Sequence, residues 1–354
     1  MRRTALYDVH QRLGASFTPF AGWAMPVRYG SDVAEHSSVR REAGLFDLSH
    51  MGRLEVAGTD AAAFLDYALV GRLSAVTVGR ARYTMLCHTN GGVLDDLVVY
   101  RLAENRFLVV ANAANTGKVR AMLGEHSGGY AVSIGDPSDG ALIAVQGPAA
   151  RTVVGDFPDL PYYGITEASL AGRDVLLART GYTGEDGYEI YCAAGDAATI
   201  WEWASAAGAR PAGLACRDTL RLEAGMPLYG HELSVSVTPF HAGLGRVVAL
   251  GKRDFVGAQA LRAVAAAGVE KQLVGLVTAG RRAPRAGYAI LDPETGAAIG
   301  SVTSGAPSPT LGHPIAMAYV ATHADKTGGK VLVDIRGTHE EATIVDLPFY
   351  RRES

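Results

Sequence analysis

The sequence predicts an α+β protein with mixed and antiparallel sheets and a β-rich C-terminal domain. Three observations carry that prediction. Glycine is abundant, 43 of 354 residues, and β-branched, apolar segments bounded by turn residues outnumber helix-like ones. The composition, 48% apolar and 19% charged, is that of an ordinary globular chain. From about Leu273 onward the pattern is strands and turns alone, whereas helices and strands are mixed before it. At roughly 100–200 residues per domain the length suits two or three packed units. A boundary is expected near residue 270, after the alanine-rich, weakly patterned stretch Leu261–Gly268. That gives one region over 1–270 and a β-rich domain over 271–354.

Residues 32–43 read as a helix, with Asp32 as N-cap, Glu35 three residues on and Gly44 as terminator. A second helix is expected after Thr59, where Ala61-Ala62-Ala63-Phe64-Leu65 precedes Ala68-Leu69-Val70. Residues 81–87 and 93–102 are strand-like and joined by Thr89-Asn90-Gly91-Gly92, a strong turn signal. After the loop Ala103-Glu104-Asn105, residues 106–112 add a third strand to this meander. Further strands are expected at Ala141–Val145, Val175–Thr180 and Tyr188–Cys192, with helices at 149–154, 197–206 and 216–224. No internal repeat is visible.

A net charge of −3 points to neither nucleic acid nor a membrane surface as partner. The start, Met1-Arg2-Arg3-Thr4, lacks the apolar core of a signal peptide, and no run approaches the ~18 apolar residues of a membrane helix. The expectation is a soluble, cytoplasmic protein. Cys87, Cys192 and Cys216 are far apart and show no metal-ligand spacing. Neither do His10, His36, His50 and His231, so no metal is expected and core or capping roles are the default.

Strand side chains alternate faces. On the second strand of the meander Leu94, Asp96, Val98 and Tyr100 share one face, and Asp95 lies on the other; on its neighbour Leu108, Val110 and Asn112 share a face. With those faces aligned, a carboxylate and a carboxamide would stand among apolar and aromatic walls, a composition that suits a small-molecule pocket. The residues alone favour a blander reading slightly, a solvated strand start beside a glycine turn. That role is expected of Asp95.

Several segments in series resemble the glycine-cleavage T-protein (aminomethyltransferase) family. They are His36-Ser37-Ser38-Val39-Arg40, Gly44-Leu45-Phe46-Asp47-Leu48-Ser49-His50-Met51, Gly91-Gly92-Val93-Leu94-Asp95-Asp96-Leu97 and Val145-Gln146-Gly147-Pro148. Arg179 to Glu189, Gly213 to Gly225 and Thr303-Ser304-Gly305 complete the series, which runs from about Leu6 to Tyr350. The resemblance implies a three-part, cloverleaf-like folate-binding fold, with two intertwined subdomains in 1–270 and a barrel-like C-terminal domain. It implies transfer of a methylene group from an aminomethylated lipoyl arm, carried by the H-protein, to tetrahydrofolate. The products would be 5,10-methylenetetrahydrofolate, ammonia and the reduced carrier.

The family's catalytic aspartate falls on Asp96, and its pterin-binding glutamate on Glu189. The folate-holding arginine falls on Arg217. Asn112 and Tyr83 match positions lining the pterin side, and Tyr162 an aromatic near it; strand parity adds Val98, Tyr100 and Val110 as the surrounding wall. Arg285 falls where the family places an arginine reaching the folate glutamate tail, and Arg351 near the last site position. Glu185 and Asp186 read as turn residues. Departures fall at His241, Arg246 and Met226 and concern carrier docking, for which Arg28, Arg281, Arg282 and Arg285 offer a basic cluster. Two other functions share the fold: a stand-alone tetrahydrofolate-dependent demethylase, and a non-enzymatic folate-binding assembly protein. The chain has no flavin-binding Gly-x-Gly-x-x-Gly segment, and no Lys-Gly-Cys-Tyr type motif over Leu222–Tyr229.

Overall fold

The structure is a computed structural model that describes residues 1–135, 140–155, 157 and 159–352. By compactness the chain forms two units, residues 1–86 with 95–217, and residues 87–94 with 218–354.

The first unit is built on a six-stranded sheet and most of a five-stranded one. The five-stranded sheet contains the expected meander, Arg80–Cys87, Val93–Ala103 and Arg106–Ala111, followed by Gly52–Ala57 and Ser133–Gly135. The six-stranded sheet has the order Ile165–Leu170, Arg173–Ala178, Gly187–Ala193, Gly140–Gln146, Gly44–Asp47, Arg210–Pro211. All its neighbours pair antiparallel except the last, which is parallel. Its central strands are apolar because they are covered. Leu45, Ile143, Val145, Leu177 and Ile190 pack with Ile200 and Trp201 of helix Ala197–Ala206 into one core.

The second unit carries a closed six-stranded barrel, Lys271–Thr278, Pro314–Ala321, Ala298–Pro307, Ala289–Leu291, Lys330–Ile335 and Thr338–Val345. Closure removes the unpaired sheet edge. Leu276, Ile290, Val302, Ala318, Val320, Val333 and Ile344 fill the interior, as period-2 alternation requires. The 87–94 hairpin tip belongs to this unit. There Gly91 sits at φ +85°, a Cβ on Gly92 would collide with the Val235 carbonyl oxygen, and the Val93 N–H donates to the Val237 carbonyl at 2.9 Å. The paired glycines are a close-approach site as well as a turn. Among the described residues no helix is long and apolar enough to cross a membrane.

Three local expectations are corrected. The helix at Asp32–Arg41 is capped by Ser31, whose hydroxyl accepts from the Ala34 N–H at 3.4 Å, so Asp32 is its first residue rather than its cap. Gly44 does not terminate that helix but opens a strand, where a Cβ would run into Val39. The alanine-rich stretch is helix Ala258–Ala267, as alanine's propensity favours, with Leu261 buried and Gly268 ending it at φ +79°.

Candidate active site

The site is assembled from the two sheets of the first unit. In strand Val93–Ala103 the odd positions Val93, Asp95, Leu97 and Val99 are all buried, while Asp96 and Val98 are half-buried. The register pairs Val98 with Val110 and Tyr100 with Leu108, so the two strands do align their faces.

Asp96 is held by one neutral donor on each oxygen. The Tyr83 hydroxyl donates to Oδ2 at 3.1 Å, and Asn112 Nδ2 donates to Oδ1 at 2.7 Å. No cation pairs with it among the described residues, and burial raises its pKa, against hydrogen bonds from Tyr83, Asn112 and its own backbone that lower it. Tyr83 is pushed well above the ordinary phenol value by burial and by the Asp96 charge, so it stays a donor.

Glu189 lies on strand Gly187–Ala193 of the other sheet. Thr180 Oγ1 and the Tyr100 hydroxyl both donate to its Oε2, at 2.7 and 3.2 Å, and neither engages Oε1. Tyr100 and Thr180 are also 2.8 Å apart, and Tyr100 stacks edge-on with Tyr191. Arg217, near the start of helix Leu214–Glu223, places its guanidinium carbon 4.8 Å from the Tyr182 ring centroid. Its Nη1 is shielded from solvent and has no hydrogen-bond acceptor among the described residues. Burial lowers the Arg217 pKa, while Tyr182 and Glu189 counter that shift. A shielded, acceptor-less guanidinium nitrogen is an anchoring point for a ligand oxygen.

Asp95 is not the solvated turn residue expected. It is wholly buried and accepts from the Asn112 N–H at 3.0 Å, from Asn112 Nδ2 at 2.9 Å and from Asn115 Nδ2 at 2.7 Å. Strand parity sends it to the core face, where a carboxylate needs such partners. Glu185 is not a plain turn residue either. Its buried carboxylate pairs with Arg40 at 2.8 Å, and Asp186 pairs with Arg179 at 2.6 Å.

The family to which these residues belong is marked by two matches. Residues 6–252 match the model of the GCVT N-terminal domain, and residues 271–351 that of the glycine cleavage T-protein C-terminal barrel domain. The chain belongs to the glycine-cleavage T-protein family. Its similarity to T-proteins is end to end. It is 57% identical to an aminomethyltransferase of Saccharopolyspora erythraea, covering 100% of this chain and 99% of the relative. To that of Bacillus subtilis it is 43% identical over 99% and 100% of the two chains. The crystal structure of the glycine cleavage system aminomethyltransferase T from Bartonella henselae superimposes with a TM-score of 0.94. The two are 36% identical and cover 99% and 98% of each other.

Of the residues the sequence singled out, the structure brings Asp96, Tyr83 and Asn112 into one cluster and Glu189 with Tyr100 into another. Tyr162 is 46% exposed. Its neighbour Tyr163 is half-buried in the left-handed region at φ +65°, and its phenol is raised by burial first, then by Tyr162 and Glu189. Arg285 and Arg351 lie in the second unit and are exposed. Asp95, Asn115, Thr180, Tyr182 and Tyr163 were missed. The signals for them were the strand parity of Asp95 and the Arg179–Glu189 segment that contains Thr180 and Tyr182.

Proposed function

We propose that the Asp96 site binds tetrahydrofolate and serves methylene transfer from an aminomethylated lipoyl arm presented by an H-protein. Full-length membership of the T-protein family supports the reaction class: the chain is an aminomethyltransferase of the glycine-cleavage type. The observation that carries the site is Asp96 itself, a partly desolvated carboxylate with both oxygens oriented and no cation paired to it among the described residues. Loss of ammonia from an aminomethyl thioether leaves positive charge on the methylene carbon. A carboxylate preorganised in a low-dielectric site stabilises that charge without reorganising. Asp96 also stands ready to move a proton as the folate nitrogens replace sulfur on the carbon. In balance, the carrier's C–S and C–N bonds break and two C–N bonds to folate form. The two folate N–H protons pass to the thiolate and to ammonia.

Glu189 is the recognition end of the site. An anionic carboxylate accepts paired hydrogen bonds from the 2-amino and N3 groups of a pterin, and Thr180 and Tyr100 orient it by its other oxygen. Arg217 supplies a donor for a folate oxygen. Val98 and Val110 form the apolar wall. The three cysteines are free and buried, which agrees with a reducing, cytoplasmic setting.

The test is carrier-dependent formation of methylenetetrahydrofolate by the purified protein. Asp96→Asn should bind tetrahydrofolate normally and lose turnover by a hundredfold or more, on the order of removing one transition-state charge contact. Near-normal turnover of a folded Asp96→Asn variant would refute the site. Turnover on a small methylated amine, with none on the aminomethylated carrier, would refute the reaction.

A further inference from the structure

Asp95 is an expensive residue in its place. It stands on the core face of a strand and carries its carboxyl where no solvent reaches. Every donor on it comes from the turn Asn112–Asn115, which the Asn115 N–H closes on the Asn112 carbonyl at 2.9 Å. Asn115 occupies the N-cap of helix Thr116–His126, where an asparagine side chain ordinarily accepts from the first-turn N–H groups. It makes no such cap; its Nδ2 goes to Asp95 instead.

The consequence reaches Asp96 through Asn112. A carboxamide nitrogen has two N–H bonds. The Asn112 nitrogen lies 2.9 Å from Asp95 Oδ1 and 2.7 Å from Asp96 Oδ1. One N–H therefore serves each carboxylate, and the Asp95 contact, reinforced by the Asn112 backbone N–H, sets which way the amide faces. With Asp95 in place the nitrogen, not the oxygen, is turned toward Asp96. Resting on the assignment of Asp96 as the reacting carboxylate, we propose that Asp95 and Asn115 are positioning residues for it, aiming the Asn112 amide so that Asp96 is held oriented and ionised.

A purely structural Asp95 would predict only a less stable protein. A positioning Asp95 predicts an effect on the titration and turnover of Asp96. The titratable groups that reach Asp96 by hydrogen bond or charge among the described residues are Tyr83, from strand Arg80–Cys87, and Asp95 beside it. Asp95→Asn leaves Asp96 without an aimed Asn112 donor, and losing a hydrogen bond that favours its ionised form moves the acid limb of kcat against pH to higher pH. The same change offers Asn112 a mixed donor and acceptor, so the amide is no longer aimed. We expect kcat near neutral pH to fall about tenfold, the scale of a disturbed hydrogen bond to a charged group, with the KM for tetrahydrofolate changed less than about twofold.

The experiment measures kcat, KM and the pH profile of carrier-dependent methylenetetrahydrofolate formation for Asp95→Asn, Asn115→Ala and Asp96→Asn beside the parent. Asn115→Ala removes one of the donors that hold Asp95, so it should lower kcat and move the acid limb in the same sense, by less. If folded Asp95→Asn keeps the parent's kcat and acid limb while Asp96→Asn is inactive, the positioning role is overturned and the site stands. An Asp95→Asn loss that tracks the folded fraction alone, with the limb unmoved, overturns it too. Should Asp95→Asn fail to fold, a parental kcat in folded Asn115→Ala overturns it. If Asp96→Asn itself turns over normally, both the positioning role and the site assignment fall together.

Discussion

Asp95→Asn should make the first unit gain stability relative to the parent as the pH rises. The Asp95 carboxyl is raised from 3.8 to about 7, first by burial and next by the Asp96 charge, against hydrogen bonds from Asn115 and Asn112. A group whose folded pKa lies above its unfolded value contributes stability that is complete below the unfolded value. That stability is lost as the pH rises through the folded one. For Asp95 the window is about pH 4 to 7. Between pH 5 and pH 8 about two pKa units of it are crossed, and at about 1.4 kcal/mol per unit the parent loses about 3 kcal/mol through this group. An asparagine does not titrate, so the variant loses none of it. The protein's three tryptophans, Trp23, Trp201 and Trp203, all lie in the first unit, and Trp201 is buried in its core. Urea unfolding followed by tryptophan fluorescence at pH 5 and pH 8 therefore reads the unit that contains Asp95. The stability difference between variant and parent should move in the variant's favour by about 2–3 kcal/mol across that range. Parallel pH dependences would refute the argument, because they would mean that Asp95 is already ionised at pH 5 without penalty.

Glu189→Gln should weaken tetrahydrofolate binding by roughly ten- to hundredfold, the range of a hydrogen bond to a charged group, while kcat at saturating folate changes little; calorimetric titration reads the first and steady-state kinetics the second. Glu185→Ala should destabilise the first unit by about 3–5 kcal/mol, since it leaves the Arg40 guanidinium buried without its carboxylate; urea unfolding by tryptophan fluorescence measures it. Ile190→Ala, in the middle of the six-stranded sheet and wholly buried, should cost about 2–5 kcal/mol by the same assay and leave the folate KM unchanged.

What the sequence made legible follows from range. The meander was readable because its turn and its alternation are local; strands expected at 81–87, 93–102 and 106–112 stand at Arg80–Cys87, Val93–Ala103 and Arg106–Ala111. Helix 197–206 stands at Ala197–Ala206, and the 216–224 helix begins two residues earlier, at Leu214. Parity on one strand separated Asp95 from Asp96, and family motifs pointed to Glu189 and Arg217. Beyond that, local windows were blind. Asp95 reads as a turn residue because its donors, Asn112 and Asn115, lie 17 and 20 positions away. Ser31 displaced Asp32 as cap because both are good caps and only backbone geometry decides between them. Tyr163 rather than Tyr162 is the half-buried one, and nothing in a Tyr-Tyr pair announces which of the two it is.

The glycine-rich segment Gly181-Tyr182-Thr183-Gly184-Glu185-Asp186-Gly187 shows what such a motif is for. A loop of that composition suggests freedom, yet this one is clamped. Gln146, wholly buried, donates from Nε2 to the Thr180 carbonyl at 3.0 Å and accepts at Oε1 from the Thr183 hydroxyl at 3.0 Å. Arg40 donates to the Thr183 carbonyl at 2.7 Å and to the Glu185 carboxylate at 2.8 Å. A Cβ on Gly181 or on Gly187 would strike the Gln146 side chain. Two of the glycines are thus required by packing: they let the loop press flat against a buried amide. The gain is at the ends. Thr180 leaves the loop pointing its hydroxyl at Glu189, and Tyr182 presents its ring to Arg217. One rigid loop therefore orients both the carboxylate and the guanidinium assigned to folate. Substituting Gly181 or Gly187 should accordingly disturb both contacts at once, raising the folate KM without touching a residue that binds it.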